Sequence, residues 1–279
     1  MTKIYEEPSR LRVEGNIELE LKSYYCDKDA PKIVSLTGLG GAAGTSYFID
    51  HLARDYNILT FSPRNSGKSN GYFTMDNYIS DSIKVIDFVS EKNGRRPFGI
   101  GHSTGGYVLA HLLGEMPLVE KAILLAPLLQ MSEQNNLLID IYFKSCIRRN
   151  KPLVPGFLLK SDDSNGRYFL MDRQRFNTEH AIPFLKSIYG SPSCGKKLLS
   201  PTKVILAGGA FTSIPISSKK LKEFESAWVN LGAEVDVFSD INHWFSGSKW
   251  FTGVGDVFCL CEEKGITKNM SDFLNGRGL

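Results

Sequence analysis

Cysteine is sparse, with five in 279 residues, at positions 26, 146, 194, 259 and 261. They form no CxxC pair and no finger-like Cys/His spacing. So odd and scattered a set offers neither a disulfide framework nor a zinc site, and it suits free thiols in a reducing, cytoplasmic setting. A block of like charge is missing as well. Lys and Arg total 33 against 30 Asp and Glu, a formal net charge of +3. The densest basic cluster, Arg148, Arg149 and Lys151, reads as a solvated face. Without a basic stripe, a nucleic-acid partner is not expected. Long hydrophobic runs are also lacking. The longest charge-free stretch, Pro97–Gly114, carries five glycines besides Pro97, His102 and Ser103, which makes it a poor lipid-embedded helix. Met1–Pro8 has no apolar run, so neither a signal peptide nor a membrane span is expected.

What remains is average globular composition, 42% hydrophobic and 23% charged, which argues against disorder and fibrous repeats. A chain of 279 residues suits one large domain with an insertion better than two domains and a linker. Roughly three quarters of its unfolded surface can be buried, so no metal or disulfide staple is needed.

Along the chain, Ser9–Val13 and Ile17–Tyr25 flank Glu14-Gly15-Asn16 as a hairpin. Short apolar runs then alternate with helix-period segments, the pattern of an α/β fold with a mostly parallel sheet and helices on both faces. The strands are Ile33–Thr37, Asn57–Ser62, Pro97–Gly101, Lys121–Ala126, Lys203–Leu206 and Glu234–Phe238. Between them, Phe48, Leu52 and Tyr56 share one helical face, and a helix from Met75 to Ser90 carries Ile79, Ile83, Ile86 and Val89 on a stripe, with Thr74 as N-cap. Further helices are expected after Ser103, at Lys219–Leu231 and from about Trp250. The alternation breaks over Pro127–Ser200, with helix-like pieces at Leu137–Ile147 and Arg173–Tyr189, and then resumes. Residues 1–279 therefore read as a single domain with 127–200 inserted in it.

Chemistry concentrates at Gly101-His102-Ser103-Thr104-Gly105-Gly106, placed after an apolar strand and before a helix. A serine on so tight a turn needs a strained backbone, and glycines two residues to either side remove the clashes that side chains would make there. The hydroxyl then stands at the sheet edge, with the N-terminal amides of the following helix aimed at any anion forming beside it. Ser103 is the candidate nucleophile. A rival motif, Asn65-Ser66-Gly67-Lys68-Ser69, ends like a phosphate-binding loop, but Ser62 occupies its first glycine position and Asn70-Gly71 follows where a helix should begin.

The sequence resembles the alpha/beta-hydrolase fold family, closest in texture to its lid-bearing monoacylglycerol-lipase-like and esterase members. The similarity runs from about Ser9 to Gly265 and is sharpest at Gly101–Gly106. Thr37-Gly38 stands where many relatives have His-Gly, and Pro63–Ser69 resembles their structural Arg-Gly-x-Gly-x-Ser loop. The resemblance implies the order serine, acid, histidine. His243, in Asp240–Phe245 beyond the last strand, is then the general base. His51 and His111 fall on helices, His102 is the elbow's second position and His180 lies in the insertion. The oxyanion donors would be the backbone N–H groups of Thr104 and Leu39, the latter in the Thr37–Gly41 turn. No metal or cofactor is required.

One position departs from the family pattern. The acid is expected where this chain has Phe211, and no carboxylate follows until Glu223. Three readings stay open. The acid comes from elsewhere, with Asp240 and Glu133 as candidates; a hydroxyl, Thr212 or Ser213, orients His243; or the scaffold binds a ligand without catalysis. Leu137, Leu138, Ile139, Ile141, Tyr142 and Phe143, followed by Phe157–Leu159, make the insertion apolar enough to need a packing partner. As a lid over the serine it would select a small-molecule ester or thioester with an apolar acyl or alkyl group, cleaved by hydrolysis or transferred to another acceptor. Oligomeric state is not legible.

Overall fold

The apolar runs are the interior strands of one sheet. The structure, a computed structural model, describes residues 3–38, 41–44, 48–127, 193–208, 217–239, 241 and 265–277. In chain order these form β1 (Tyr5–Glu14), β2 (Ile17–Tyr25), β3 (Lys32–Leu36), α1 (Ile49–Leu52), β4 (Asn57–Phe61), α2 (Met75–Asn93), β5 (Phe98–His102), α3 (Thr104–Glu115), β6 (Ala122–Leu125), β7 (Thr202–Ala207), α4 (Ser218–Asn230), β8 (Glu234–Phe238) and α5 (Ile266–Leu274). Among the described residues the sheet has eight strands in the order β1-β2-β4-β3-β5-β6-β7-β8. β2 pairs antiparallel with β1 and β4, and every ladder from β4 through β3 to β8 is parallel.

Parallel strands covered on both faces become continuously apolar, and their alternate residues feed two cores. Ala122 and Leu124 of β6 and Val204 and Leu206 of β7 face Val85, Leu109 and Trp228, from α2, α3 and α4. Ile123, Leu125, Ile205 and Ala207 face Leu52 and Met270, from α1 and α5. Among the described residues no helix is long and apolar enough to cross a membrane.

The hairpin forms as expected, with β1 beginning earlier, at Tyr5. Nearly all of β1 is exposed, and its charges pair across the ladder, Arg10 with Glu18 at 3.3 Å and Lys22 with Glu6 at 3.0 Å. Thr74 caps α2 as expected, accepting the Asn77 N–H at 3.1 Å. Its buried face includes only half of the expected stripe, Ile86 and Val89. Met75, Tyr78, Asp81, Ser82 and Val85 are buried with them, while Ile79 and Ile83 lie half-buried at the margin. The reason is polar. Asp81 is drawn inward by Arg64, whose Nε and Nη2 donate at 2.8 and 2.9 Å, and the Ser82 hydroxyl donates to Tyr78 O at 2.7 Å.

Within α1 the helix ends at Leu52, so Tyr56 lies beyond it, yet Phe48, Leu52 and Tyr56 are all buried in one core. The next segment matches its structural expectation. Arg64 and Ser69 tie it to the sheet, Ser69 Oγ donating to Ser62 O at 2.7 Å, and Asn65, which follows Arg64 where the Arg-Gly-x-Gly-x-Ser pattern has its first glycine, takes φ 61°. β7 lies beside β6 with Leu125 opposite Ile205, so the sheet is continuous across the segment that separates them in sequence. Helix-like pieces expected at Leu137–Ile147 and Arg173–Tyr189 lie outside the described residues, as does the expected helix start at Trp250.

Candidate active site

Because β3 and β5–β8 all run the same way, their carboxyl ends share one edge of the sheet. Ser103 stands there, between β5 and α3, at φ 54° and ψ −115°. It is one of three non-glycine residues with positive φ among those described, a conformation costing on the order of 1–3 kcal/mol. The surroundings hold it in place. Its N–H donates to Leu125 O at 2.9 Å and its carbonyl accepts the Tyr107 N–H at 3.0 Å. The flanking glycines are required by close approach. A β-carbon on Gly101 would stand 2.5 Å from Gly105 O, and one on Gly105 would stand 2.5 Å from the Leu36 carbonyl carbon and 2.6 Å from Thr37 O. Thr104 opens α3, whose first turn has no acidic residue and no side-chain cap. The positive end of the helix therefore faces the serine without a neutralising carboxylate of its own.

The turn after β3 comes to the same place. A β-carbon on Gly38 would lie 3.4 Å from Ser103 Cβ and 3.4 Å from His102 Nδ1, so the Gly38 backbone packs directly on the serine. The turn closes through Gly41 N–H to Gly38 O at 3.0 Å. It is gripped from two sides. The Tyr78 hydroxyl donates to Thr37 O at 2.7 Å, and the Ser66 hydroxyl to Gly41 O at 2.8 Å. Burial pushes the Tyr78 phenol far above its ordinary pKa, so it remains a donor throughout the usual range.

Farther along the edge, Gly208 extends the β7–β8 contact, donating its N–H to Phe238 O at 2.8 Å. Ile241 is fully buried beside Ile266 and Met270 of α5. Of the residues singled out in the sequence, the structure thus joins Ser103, Thr104 and the Thr37-Gly38 segment. Leu39, Glu133, Phe211, Thr212, Ser213, Asp240 and His243 lie outside the described residues, as does His180. His111 stacks on Tyr107, with 6.2 Å between ring centroids and 15° between planes, and His51 is half-buried in α1. Sequence reasoning missed Tyr78 and Ser66. Tyr78 occupies the helix face that contact with the sheet would pick out, and Ser66 lies in a loop read only as structural. Among the described residues no cluster of three or more His, Cys, Asp or Glu could hold a metal ion.

This strand order, with a strained serine on the elbow between β5 and α3, is that of an alpha/beta-hydrolase fold. Solved structures share it. An esterase from Pyrococcus furiosus superposes with a TM-score of 0.62 at 15% identity, over 98% of this chain and 91% of that one. An enol-lactonase from Burkholderia xenovorans gives 0.60 at 14%, over 96% and 100%. The thioesterase domain from the curacin biosynthetic pathway gives 0.59 at 12%, over 95% and 99%. A family model described as serine aminopeptidase, S33 (Hydrolase_4) matches residues 32–181, more than half of the chain, and the chain belongs to that family of hydrolases. No curated protein matches it in sequence.

Proposed function

We propose that this protein is a serine hydrolase that cleaves a carboxylic ester or thioester with an apolar acyl or alkyl group. The observation that carries the reading is the elbow itself. Ser103 is held at φ 54° on the carboxyl edge, with the Gly38 backbone packed against its β-carbon. Ser103 Oγ attacks the carbonyl carbon while His243 accepts its proton, and the amides of Thr104 and Leu39 receive the oxyanion. The intermediate collapses as His243 protonates the departing alcohol or thiol. Water, deprotonated by the same imidazole, then releases the acid and restores the serine.

Chain geometry supports the pairing. β5 and β8 stand three ladder steps apart, about 14 Å. Five residues lead from Phe238 to His243, enough to reach roughly 17 Å. The esterase, enol-lactonase and thioesterase names of the structural neighbours point to the same acyl chemistry, and the apolar segment Leu137–Phe143 favours an apolar substrate. The family's description makes an aminoacyl anilide the natural counter-substrate. Phe211 at the expected acid position favours a second reading, a ligand-binding protein on this scaffold.

The test uses short-chain nitrophenyl esters, an aminoacyl nitroanilide and a fluorophosphonate probe. Ester turnover and stoichiometric labelling that Ser103→Ala abolishes would support the hydrolase. Anilide cleavage in place of ester cleavage would reassign the substrate class. Failure of the wild-type protein to label would favour binding alone.

A further inference from the structure

The loop beside Ser103 is held by two buried hydroxyls, those of Tyr78 and Ser66. Tyr78 lies in the first turns of α2, fully buried, its ring set against Phe61 at 5.7 Å and Phe73 at 5.6 Å between centroids. From that fixed platform its hydroxyl donates to Thr37 O. At the other end of the turn, Ser66 Oγ donates to Gly41 O, while Gly41 N–H takes Gly38 O. The three described carbonyls of this turn are thus each bonded from within the fold.

That arrangement has a consequence for an anion site. In a trans peptide the carbonyl and the following amide point opposite ways, so fixing the carbonyl fixes the amide. With Thr37 O held toward Tyr78, the Gly38 N–H is turned to the other side. A loop free to flip its peptides would present carbonyl oxygens to a developing negative charge part of the time, and repel it. Thr37 O also lies against Gly105, where a β-carbon would come within 2.6 Å, so the carbonyl that Tyr78 holds also abuts the first turn of α3.

We propose that Tyr78 and Ser66 are positioning residues whose hydroxyls hold Thr37 O and Gly41 O within the fold, so that neither carbonyl turns toward the atom that Ser103 attacks. The inference rests on the Ser103 hydrolase reading and adds to it the groups that preorganise the oxyanion site.

Tyr78→Phe keeps the ring and removes only the hydroxyl, and Ser66→Ala does the same at the other anchor. Three readouts are taken on the full chain: hydrogen exchange in a peptide covering residues 37–44, steady-state kinetics on a nitrophenyl ester, and thermal melting. The expected result for Tyr78→Phe is exchange about tenfold faster in that peptide, with β6 and β7 unchanged. The kcat should fall about tenfold, equivalent to ~1.4 kcal/mol of transition-state stabilisation, with KM within twofold of wild type. Ser66→Ala should show the same pattern, reduced. Unchanged exchange at 37–44 overturns the proposal, and so does faster exchange with an unaltered kcat. A purely structural role would instead raise exchange throughout the core and leave kcat per folded molecule intact. Should the wild-type protein neither hydrolyse esters nor label, the hydrolase reading fails on that account. The exchange measurement then still decides whether the two hydroxyls fix the turn.

Discussion

Replacing Gly105 by alanine adds one methyl group at the most crowded point of the elbow. The new carbon would stand 2.5 Å from the Leu36 carbonyl carbon and 2.6 Å from Thr37 O, and would also meet Leu36 O. Ordinary contact needs about 3.5 Å, so α3 and the end of β3 must part by nearly 1 Å. The obstacles are backbone atoms of an interior strand and cannot swing aside as a flexible side chain would. Overpacking a core costs about 1–3 kcal/mol, and rigid neighbours place this case near the upper end. With a urea m-value of roughly 3 kcal/mol/M for a domain of this size, the unfolding midpoint should fall by about 1 M. Gly195→Ala is the control, because its nearest neighbour would be 4.0 Å away; it should stay within about 0.5 kcal/mol of wild type. A displacement of this size beside a nucleophile can cost on the order of 100-fold in rate, so ester turnover should fall more steeply than stability. A Gly105→Ala protein that unfolds at the wild-type midpoint and turns over ester normally would refute the close approach of α3 to β3.

The buried ion pair offers a second test. Asp81→Ala leaves the Arg64 guanidinium, 7% exposed, with Glu14 alone at 3.0 Å, and should lose about 3 kcal/mol in urea denaturation. Adding Arg64→Met should recover part of that loss, and a double variant no more stable than the single one would contradict this account. Cys194 predicts a pH effect. Burial pushes its thiol up from 9.0 to about 12, so the folded protein keeps a proton that the unfolded chain releases. Stability contributed by the neutral thiol is complete below about pH 9 and is lost as pH climbs toward 12, by at most ~1.4 kcal/mol per pH unit. Cys194→Ala should flatten that limb of the stability curve, and identical curves for the two proteins would exclude the thiol as its source.

Much of the sheet was readable in advance because its signal is local. Runs such as Val204–Leu206 and Ile123–Leu125 are apolar on both faces, and no helix of that length would be. The elbow was readable for a similar reason, since Gly101 and Gly105 bracket Ser103 within five residues. What escaped depends on contacts between distant segments. Tyr78 meets Thr37 across 41 residues, and Asp81 is buried against Arg64, 17 residues away. The hydrophobic stripe therefore found the buried Ile86 and Val89 but also took in the half-buried Ile79 and Ile83, and it passed over the buried phenol, carboxylate and serine of Tyr78, Asp81 and Ser82. Strand order is likewise invisible to periodicity, which marks β3 and β4 without showing that β4 lies between β2 and β3.

The outer margin of the sheet has its own consequence. β1 is the terminal strand, and Glu6, Glu7, Arg10, Arg12 and Glu14 project from it around Pro8. Another chain trying to extend the ladder would meet charges of both signs and a residue without an amide hydrogen. Strand-by-strand growth into fibrils is thereby discouraged at this rim, and the protein should tolerate high concentrations that would drive a smoother, greasier border to stack.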